Sequence, residues 1–346
     1  MAGIDVVIPN YRYGRFLRSC VASIQQQGVE DLRILIIDNA SDDDSVDIAR
    51  DLAQRDHRIE VRARPKNLGR VASLNEGLDW AQAEYFTIVC ADDLLFPGGL
   101  ASAVDIMNAD SEIAFSYGRV AIFEDGEPPR IDPRLPAANW SITSGDDYLW
   151  QCCSRPKGTC VMLTRTTAHK VAGYYRESAG LMDDLEMHFR LACLGRVAVS
   201  QTYMALHRVH QSNISASFST DRLQWLKSTQ QAFDSFFANE GARHPDAVKL
   251  QHRAHDCLAA RAYWTGLSKM LLGRISEGRN LFRFAYAMNP SCALLPPVSY
   301  LLSTQQPFQK IMRAALAASK ECLTAAKPQQ TIHKSPSIDK SRSLPW

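Results

Sequence analysis

A short apolar run, Tyr85-Phe86-Thr87-Ile88-Val89-Cys90-Ala91, ends in two adjacent carboxylates, Asp92 and Asp93. The run is rich in aromatic and β-branched residues and reads as a buried strand. Leu94-Leu95-Phe96 then leads to Pro97, which fits the first turn of a new helix. In open α/β sheets ligands lie beyond the carboxyl ends of strands, so an acidic pair there is well placed to meet one. Side chains alternate along a strand, which sends Asp92 and Asp93 to opposite faces and sets Cys90 beside Asp92. One carboxylate can then hold a hard cation while the other faces a sugar, a backbone group or water. A turn that only caps the next helix is the plain alternative.

The elements that must carry this pair follow from periodicity. Gly3-Ile4-Asp5-Val6-Val7-Ile8 is a first strand that Pro9-Asn10-Tyr11 turns off. Phe16, Leu17, Cys20, Val21 and Ile24 mark a helix over Tyr13–Gln27, which Gly28 ends. Leu32-Arg33-Ile34-Leu35-Ile36-Ile37 is a second strand, closed by Asp38-Asn39-Ala40-Ser41. Ser41 and Asp44 resemble a capping box for the helix bearing Val46, Ala49, Leu52 and Ala53. Arg58–Arg64 alternates as a short strand. After the loop Pro65-Lys66-Asn67-Leu68-Gly69, a third helix carries Val71, Leu74 and Leu78. Three strand–helix units in succession predict a parallel sheet with helices on both faces. Neither GxGxxG nor a Walker A loop stands at the first turn, so the dinucleotide and P-loop modes of holding phosphate do not apply. Turns carrying Asp in place of Gly need another way to hold phosphate, and a metal bridge supplies one.

Past Pro97 the alternation loosens. Glu112–Phe123 forms one or two strands, Glu124–Asn139 with its four prolines is an exposed loop, and Thr143–Cys153 is helical. Thr159–Thr164 is a short strand, Asp183–Leu194 a helix, and Arg196–Leu206 a strand running into His207-Arg208-Val209-His210. From about Asp221 strand signals vanish. The organisation expected is an α/β domain over residues 1–218, a helical extension over 219–327 and a disordered polar tail over 328–346. Ala259–Pro290 resembles one helical hairpin of tetratricopeptide type, although a plain helical appendage fits it better.

The totals narrow the class. The chain has 346 residues, 46% of them hydrophobic and 22% charged, which is ordinary for a soluble globular protein. A net charge of +2 gives no support for a nucleic-acid partner. The nine cysteines contain no CxxC pair, so neither a disulfide framework nor a zinc site is implied and a reducing cytoplasm is expected. No signal peptide and no run of about 20 apolar residues is found. The expectation is a soluble protein, at most peripheral at the inner face of a membrane.

Together these segments resemble the family 2 glycosyltransferases, which have the GT-A fold, over roughly residues 3–215. Val6-Val7-Ile8-Pro9-Asn10-Tyr11 is similar to the family's opening VVIPxYN, and Leu35-Ile36-Ile37-Asp38-Asn39-Ala40-Ser41-Asp42-Asp43 to its IIVVDNxSxD. Lys66-Asn67-Leu68-Gly69 with Asn75-Glu76-Gly77 resembles NxGxxxARNxG, and Cys90-Ala91-Asp92-Asp93 occupies the DxD position. Met182-Asp183-Asp184 with Phe189-Arg190-Leu191-Ala192 resembles the ED(x)₄LRLA helix, and Arg208-Val209-His210 the closing RxH. Six such pieces in order make the resemblance specific. It departs in two places: Cys90 replaces the first acid of DxD, and Leu74 stands where many relatives carry Arg.

The resemblance implies an inverting, metal-dependent transferase that moves a sugar from a nucleotide donor to a glycan, lipid-linked or protein acceptor in surface polysaccharide biosynthesis. It assigns Mn²⁺ or Mg²⁺ to Asp92 with His210, an oxygen and imidazole set that suits Mn²⁺ better. Asp93 and Asp183 would stand beside the donor, and His207 would be structural. Asp38 would accept a hydrogen bond from the imide N–H of uracil or thymine, favouring UDP or dTDP donors. Pro9, Asn10 and Tyr11 would line the base and ribose, with Asn67 and Asn75 behind them. Asp184 would be the general base for the acceptor hydroxyl. A helix N-terminus favours its ionised form but weakens its grip on a proton, which the site must restore. Acceptor choice is expected in Glu124–Asn139, Lys157-Gly158-Thr159 and the helical extension. The QxxRW motif of processive synthases is not found, so one sugar per encounter is expected. The rival readings are a nucleotide-sugar-binding or scaffolding protein that has lost catalysis, suggested by Cys90 and the possible helical hairpin, and a sugar-phosphate nucleotidyltransferase, which the single glycine of Tyr11-Arg12-Tyr13-Gly14-Arg15 disfavours.

Overall fold

The computed structural model describes residues 3–127, 139–156, 159–213 and 221–294. Strands β1 (Ile4–Asn10), β2 (Leu32–Asp38) and β3 (Ile59–Ala63) alternate with helices α1 (Gly14–Gln25) and α2 (Ser45–Arg55). Helix α3 (Arg70–Trp80) then leads into β4 (Tyr85–Ile88). Next come β5 (Leu94–Leu95), α4 (Gly99–Ala109), β6 (Ile113–Glu124), β7 (Trp140–Thr143) and α5 (Gly145–Ser154). Strand β8 (Leu163–Arg165), α6 (Thr166–Ala172), α7 (Asp183–Ala192) and β9 (Arg196–Val209) complete the sheet region. Three longer helices follow: α8 (Arg222–Phe237), α9 (Ala247–Leu271) and α10 (Ile275–Met288).

Among the described residues nine strands form one sheet, in the order β3-β2-β1-β4-β8-β6-β9-β5 with β7 also on β9. Strands β1 to β4 are mutually parallel, as are β6 and β9. The short β8 runs antiparallel to both β4 and β6 and splices the two parallel groups together. Alternation along β1 distributes its side chains between the two faces. Ile4, Val6 and Ile8 meet Leu17, Cys20, Val21 and Ile24 of α1, whereas Val7 meets Leu35, Ile37, Leu78 and Phe86 on the other face. Each such side chain contributes roughly 1.5–3 kcal/mol when fully buried. A Cβ on Gly77 would lie 2.6 Å from Val7 Cγ1, so glycine is what lets α3 settle so close to β1.

A third cluster runs without a break from Phe115 of β6 through Leu149, Leu185 and Phe189 to Phe233, Phe236, Leu258 and Leu281. The stacked rings of Phe189 and Phe233, 5.3 Å between centroids, join α7 to α8. The C-terminal helices therefore share a core with the helix that carries Asp183 and Asp184. The expected boundary at 218/219 falls at the end of residues 214–220, outside the described residues. Most of the Glu124–Asn139 loop, Lys157, Gly158 and the tail also lie outside them. Helices α9 and α10 cover Ala259–Pro290 up to Met288, meeting where a Cβ on Gly266 would be 3.1 Å from the Gly278 carbonyl. No helix among the described residues is long and apolar enough to cross a membrane.

Three local expectations fail, each for a physical reason. The helix after Asp93 does not begin at Pro97: Leu94-Leu95 first pairs with Ala205 and Leu206 of β9, and α4 starts at Gly99 after a left-handed Gly98. A free strand edge attracted the chain more strongly than helix propensity did. The Ser41–Asp44 capping box does not form, because Ser41 Oγ donates to Asp38 Oδ2 at 2.7 Å and α2 begins at Ser45. Asp92 and Asp93 also do not part to opposite faces. Strand β4 stops at Ile88, and one ligand atom each from Cys90, Asp92 and Asp93 lies within 4.8 Å of the others.

Candidate active site

The ends of β1 and β2 are tied into a small polar knot. Asp38 is fully buried; its Oδ2 accepts from Asn10 Nδ2 and Ser41 Oγ, both at 2.7 Å, and its Oδ1 from the Ser41 N–H at 2.9 Å. Ser41 Oγ in turn accepts from the Arg12 N–H at 2.8 Å. Arg12 and Ala40 have positive φ, 59° and 63°, a conformation that non-glycine residues adopt at a cost of roughly 1–3 kcal/mol. The knot holds both turns in that shape. Asn10 Oδ1 stays buried with no hydrogen-bond partner, and Tyr11 is 39% exposed at the mouth. Asp38 and Asn10 are thus buried beneath the turns that follow β1 and β2.

Beyond β4, Asp92 and Asp93 are buried side by side and bound to the end of β9. Asp92 Oδ2 faces His210 Nε2 at 3.2 Å and accepts from Asn213 Nδ2 at 3.0 Å. Asp93 Oδ1 meets His207 Nδ1 at 2.9 Å and the Arg208 N–H at 3.1 Å. Arg208 donates to the Asp92 carbonyl at 3.0 Å and lies against the rings of Phe16 and Phe123. Tyr13 and Phe16 flank the His210 ring, and Tyr13 Oη donates to the Ser212 carbonyl at 2.8 Å. Burial, reinforced by the charge of Asp93, pushes the Asp92 carboxyl up, while His210 pulls it back. The bond to Asp93 raises His207. Cys90, Asp92 and Asp93 offer one ligand atom each within 4.8 Å of one another, a group that could hold a divalent cation, with His210 beside it on Asp92.

The second acidic pair sits at the start of α7, where helix N–H groups point toward it. Asp183 is buried and ion-paired to Arg70 Nη2 at 2.5 Å. Asp184 is pushed up to about 6, first by burial and then by the charge of Asp183, with Arg70 and the α7 backbone opposing. Its proton affinity is thereby restored against the helix end. The fields of Asp93, Cys90 and Asp184 all reach Cys160.

Two predicted residues serve structural contacts. Asn75 spends both halves of its amide on the Tyr175 backbone, at 3.0 and 2.8 Å. Asn67 Oδ1 accepts from Asn39 Nδ2 at 2.7 Å and the Gly69 N–H at 2.8 Å, closing the loop before α3. Pro9 lies within β1, one residue before Asn10. Sequence reasoning set His207 aside and did not single out Asn213 or Arg70. His207 alternates with Arg208 along β9 as any strand residue would, and Asn213 carries no periodic signal. Only the pairing of β5 with the end of β9 brings them to Asp92 and Asp93.

The chain is similar to known proteins over this same region. Residues 5–176 match the model of glycosyl transferase family 2. Glycosyltransferase GlyG of Streptococcus pneumoniae is 34% identical over 92 residues, covering 27% of this chain and 31% of that protein. An uncharacterised glycosyltransferase of Nostoc sp., alr2836, is 25% identical over 293 residues, 78% of this chain and 88% of its own. A GalNAc(5)-diNAcBac-PP-undecaprenol beta-1,3-glucosyltransferase of Campylobacter jejuni is 29% identical over 127 residues, 36% of this chain and 40% of that one. Among solved structures, S. aureus TarS 1-349 in complex with UDP-GlcNAc superposes with a TM-score of 0.62 at 13% identity, covering 93% and 92% of the two chains. The mannosyltransferase PcManGT of Pyrobaculum calidifontis, in complex with GDP-Man and Mn²⁺, gives 0.56 at 17% identity over 94% and 88%. The fold is therefore GT-A.

Proposed function

This chain belongs to glycosyl transferase family 2, and from that premise we propose that it is an inverting, metal-dependent glycosyltransferase acting from a UDP- or dTDP-sugar onto a glycan, lipid-linked or protein acceptor in surface polysaccharide biosynthesis. The observation that carries the reading is that the chain holds two unlike acidic pairs, one at the end of β4 and one at the start of α7. One, Asp92 with Asp93, is crowded with hydrogen-bond partners at the end of β4. The other, Asp183 with Asp184, holds a carboxylate whose proton affinity burial has raised.

Asp92 and His210 would hold a divalent cation, with Asp93 and Cys90 at its edge, and that cation would supply positive charge against the departing diphosphate. PcManGT bound to GDP-Man and Mn²⁺ has the same fold. The Asp38–Asn10–Ser41 knot would lie under the base, with the exposed Tyr11 ring available to it. Asp184 takes the proton of the acceptor hydroxyl as that oxygen attacks the anomeric carbon. A single base opposite the leaving group gives inversion. Its raised proton affinity, near 6 on the pH scale, matches a base that works near neutrality.

The lipid-linked acceptor named for the Campylobacter relative and the UDP-sugar bound by TarS support the donor and acceptor classes. Thermal shift with UDP-, dTDP-, GDP- and CMP-sugars, with and without Mn²⁺, on wild type and Asp92→Ala tests the proposal. A cation-dependent rise for one uridine or thymidine donor, lost in the variant, supports it. A flat response across the panel would reject it in favour of a binding scaffold that has lost catalysis.

A further inference from the structure

The small net charge of this chain conceals a division. Residues 247–346 hold 14 Lys and Arg against 4 Asp and Glu, a net of +10, whereas residues 1–246 hold 25 against 33, a net of −8. Such asymmetry marks the basic part as the side that meets an acidic partner. Within the described residues it lies on the α9–α10 hairpin, where residues 247–288 carry seven cations and two acids. Both acids are already engaged. Glu277, the one acid of α10, is met by Arg274 at 2.6 Å and Lys269 at 3.5 Å, and Asp256 of α9 accepts from Asn289 at 2.7 Å. Arg279 and Arg283 are exposed and form no ion pair with a described residue.

Helix α10 buries Gly278, Leu281, Phe284 and Ala285. Its opposite face presents Ile275, Arg279, Arg283 and Tyr286, spaced four, four and three residues apart and so aligned in one stripe. Ile275 is 43% exposed and Tyr286 38%, and Leu271, at the end of α9 just before the stripe, is 78% exposed. Phe282 stacks on Tyr286 with 5.9 Å between ring centroids, which widens the aromatic end. Cations flanked by aliphatic and aromatic side chains suit a bilayer interface, where arginines meet headgroup phosphates and apolar groups enter the acyl boundary. Nucleic acid offers the first of these contacts but no acyl boundary for Leu271 and Ile275.

We propose that the outer face of α10, together with Leu271, is a docking surface for an anionic lipid bilayer. The hairpin shares a continuous core with α7, the helix of Asp183 and Asp184, so docking there fixes the orientation of the bilayer relative to that helix. The inference goes beyond the donor and acceptor chemistry and does not rest on it, since vesicle binding is read without sugar or metal.

Co-sedimentation of the full chain with sucrose-loaded vesicles tests it, comparing phosphatidylcholine alone with a two-to-one mixture of phosphatidylcholine and phosphatidylglycerol. The protein is expected to bind the mixed vesicles, to bind the neutral ones far less, and to be released as salt rises. Each Arg near an anionic surface strengthens partitioning about fivefold, so Arg279→Gln/Arg283→Gln should weaken binding by about 30-fold. Leu271→Ser/Ile275→Ser keeps every charge and should weaken it by about 10-fold. All four side chains are exposed, so neither variant disturbs the core. Equal binding to neutral and mixed vesicles, or binding to neither, overturns the proposal. An unchanged affinity in Arg279→Gln/Arg283→Gln overturns it too, by moving the contact to other cations of residues 247–346. If Leu271→Ser/Ile275→Ser binds mixed vesicles as wild type does, the face is a general polyanion site open to nucleic acid, and the lipid assignment fails. A flat nucleotide-sugar panel beside intact vesicle binding would reject the proposed function alone.

Discussion

The two aspartate pairs of this protein differ in how their charges are met. Asp92 and Asp93 are surrounded: His210, Asn213, His207 and the Arg208 backbone all reach their oxygens. Asp183 and Asp184 have one guanidinium between them and a helix end behind them. A carboxylate tied by several donors keeps a fixed direction, which a cation site requires. Burial and the neighbouring charge raise Asp184 as they raise Asp92, but Asp184 is opposed by the α7 backbone and Arg70 where Asp92 is opposed by its own backbone and His210. Equal residue types are thus given unequal chemistry by the number of donors each is offered.

The largest effect that would test this contrast is a crossed pair of losses. Asp184→Asn should lower turnover by roughly 10²–10⁴-fold while leaving Mn²⁺-dependent donor binding intact. Asp92→Ala should abolish the cation-dependent melting shift. Equal losses of donor binding in both variants would erase the distinction.

The pH dependence of stability sharpens it further. Asp184 has an ordinary value of 3.8 and lies at about 6 in the folded chain. Between these values the folded state binds more protons than the unfolded one, so Asp184 makes stability fall as pH rises through that window. Asp184→Asn should therefore melt higher than wild type at pH 7 and no higher at pH 4. A constant difference across that range would contradict a raised carboxyl.

A smaller effect is expected from Asn213→Ala, which removes a donor to Asp92 and leaves His210 in place. Mn²⁺ affinity measured by calorimetry should fall by about 10- to 100-fold, as for other residues that orient a metal ligand. The smallest is Cys90→Asp. A third carboxylate beside Asp92 and Asp93 should lower the metal-free melting temperature and strengthen the cation-dependent rise. Weaker Mn²⁺ binding in that variant would show that the thiol leaves no room for another ligand.

Much of this arrangement was legible in the chain itself. The strands β1 to β4, helices α1 to α3 and the start of α7 at Asp183 follow from apolar spacing, because a parallel sheet buries both faces and leaves strong periodic signals. The motif order also singled out Asp38, Asp92, Asp184 and His210, of which Asp92 and His210 meet at 3.2 Å. The failures lie where long-range contacts override local preference. Ser41 was read as a cap and serves the Asp38 knot. Asn75 was read as a donor contact and clamps Tyr175. Leu94-Leu95 was read as a lead-in to a helix and forms a strand against β9.

The sequence by itself determined the parallel framework and which acidic residues stand at its strand and helix ends, since both depend on periodicity and on residues near in the chain. The tertiary structure decided what each acid can do. His207, Arg208, His210 and Asn213 come from more than a hundred residues beyond Asp92 and Asp93, and Arg70 comes to Asp183 from more than a hundred residues before it. A carboxylate's proton affinity and direction are set by burial and by the donors that surround it, and those are properties of the packed chain.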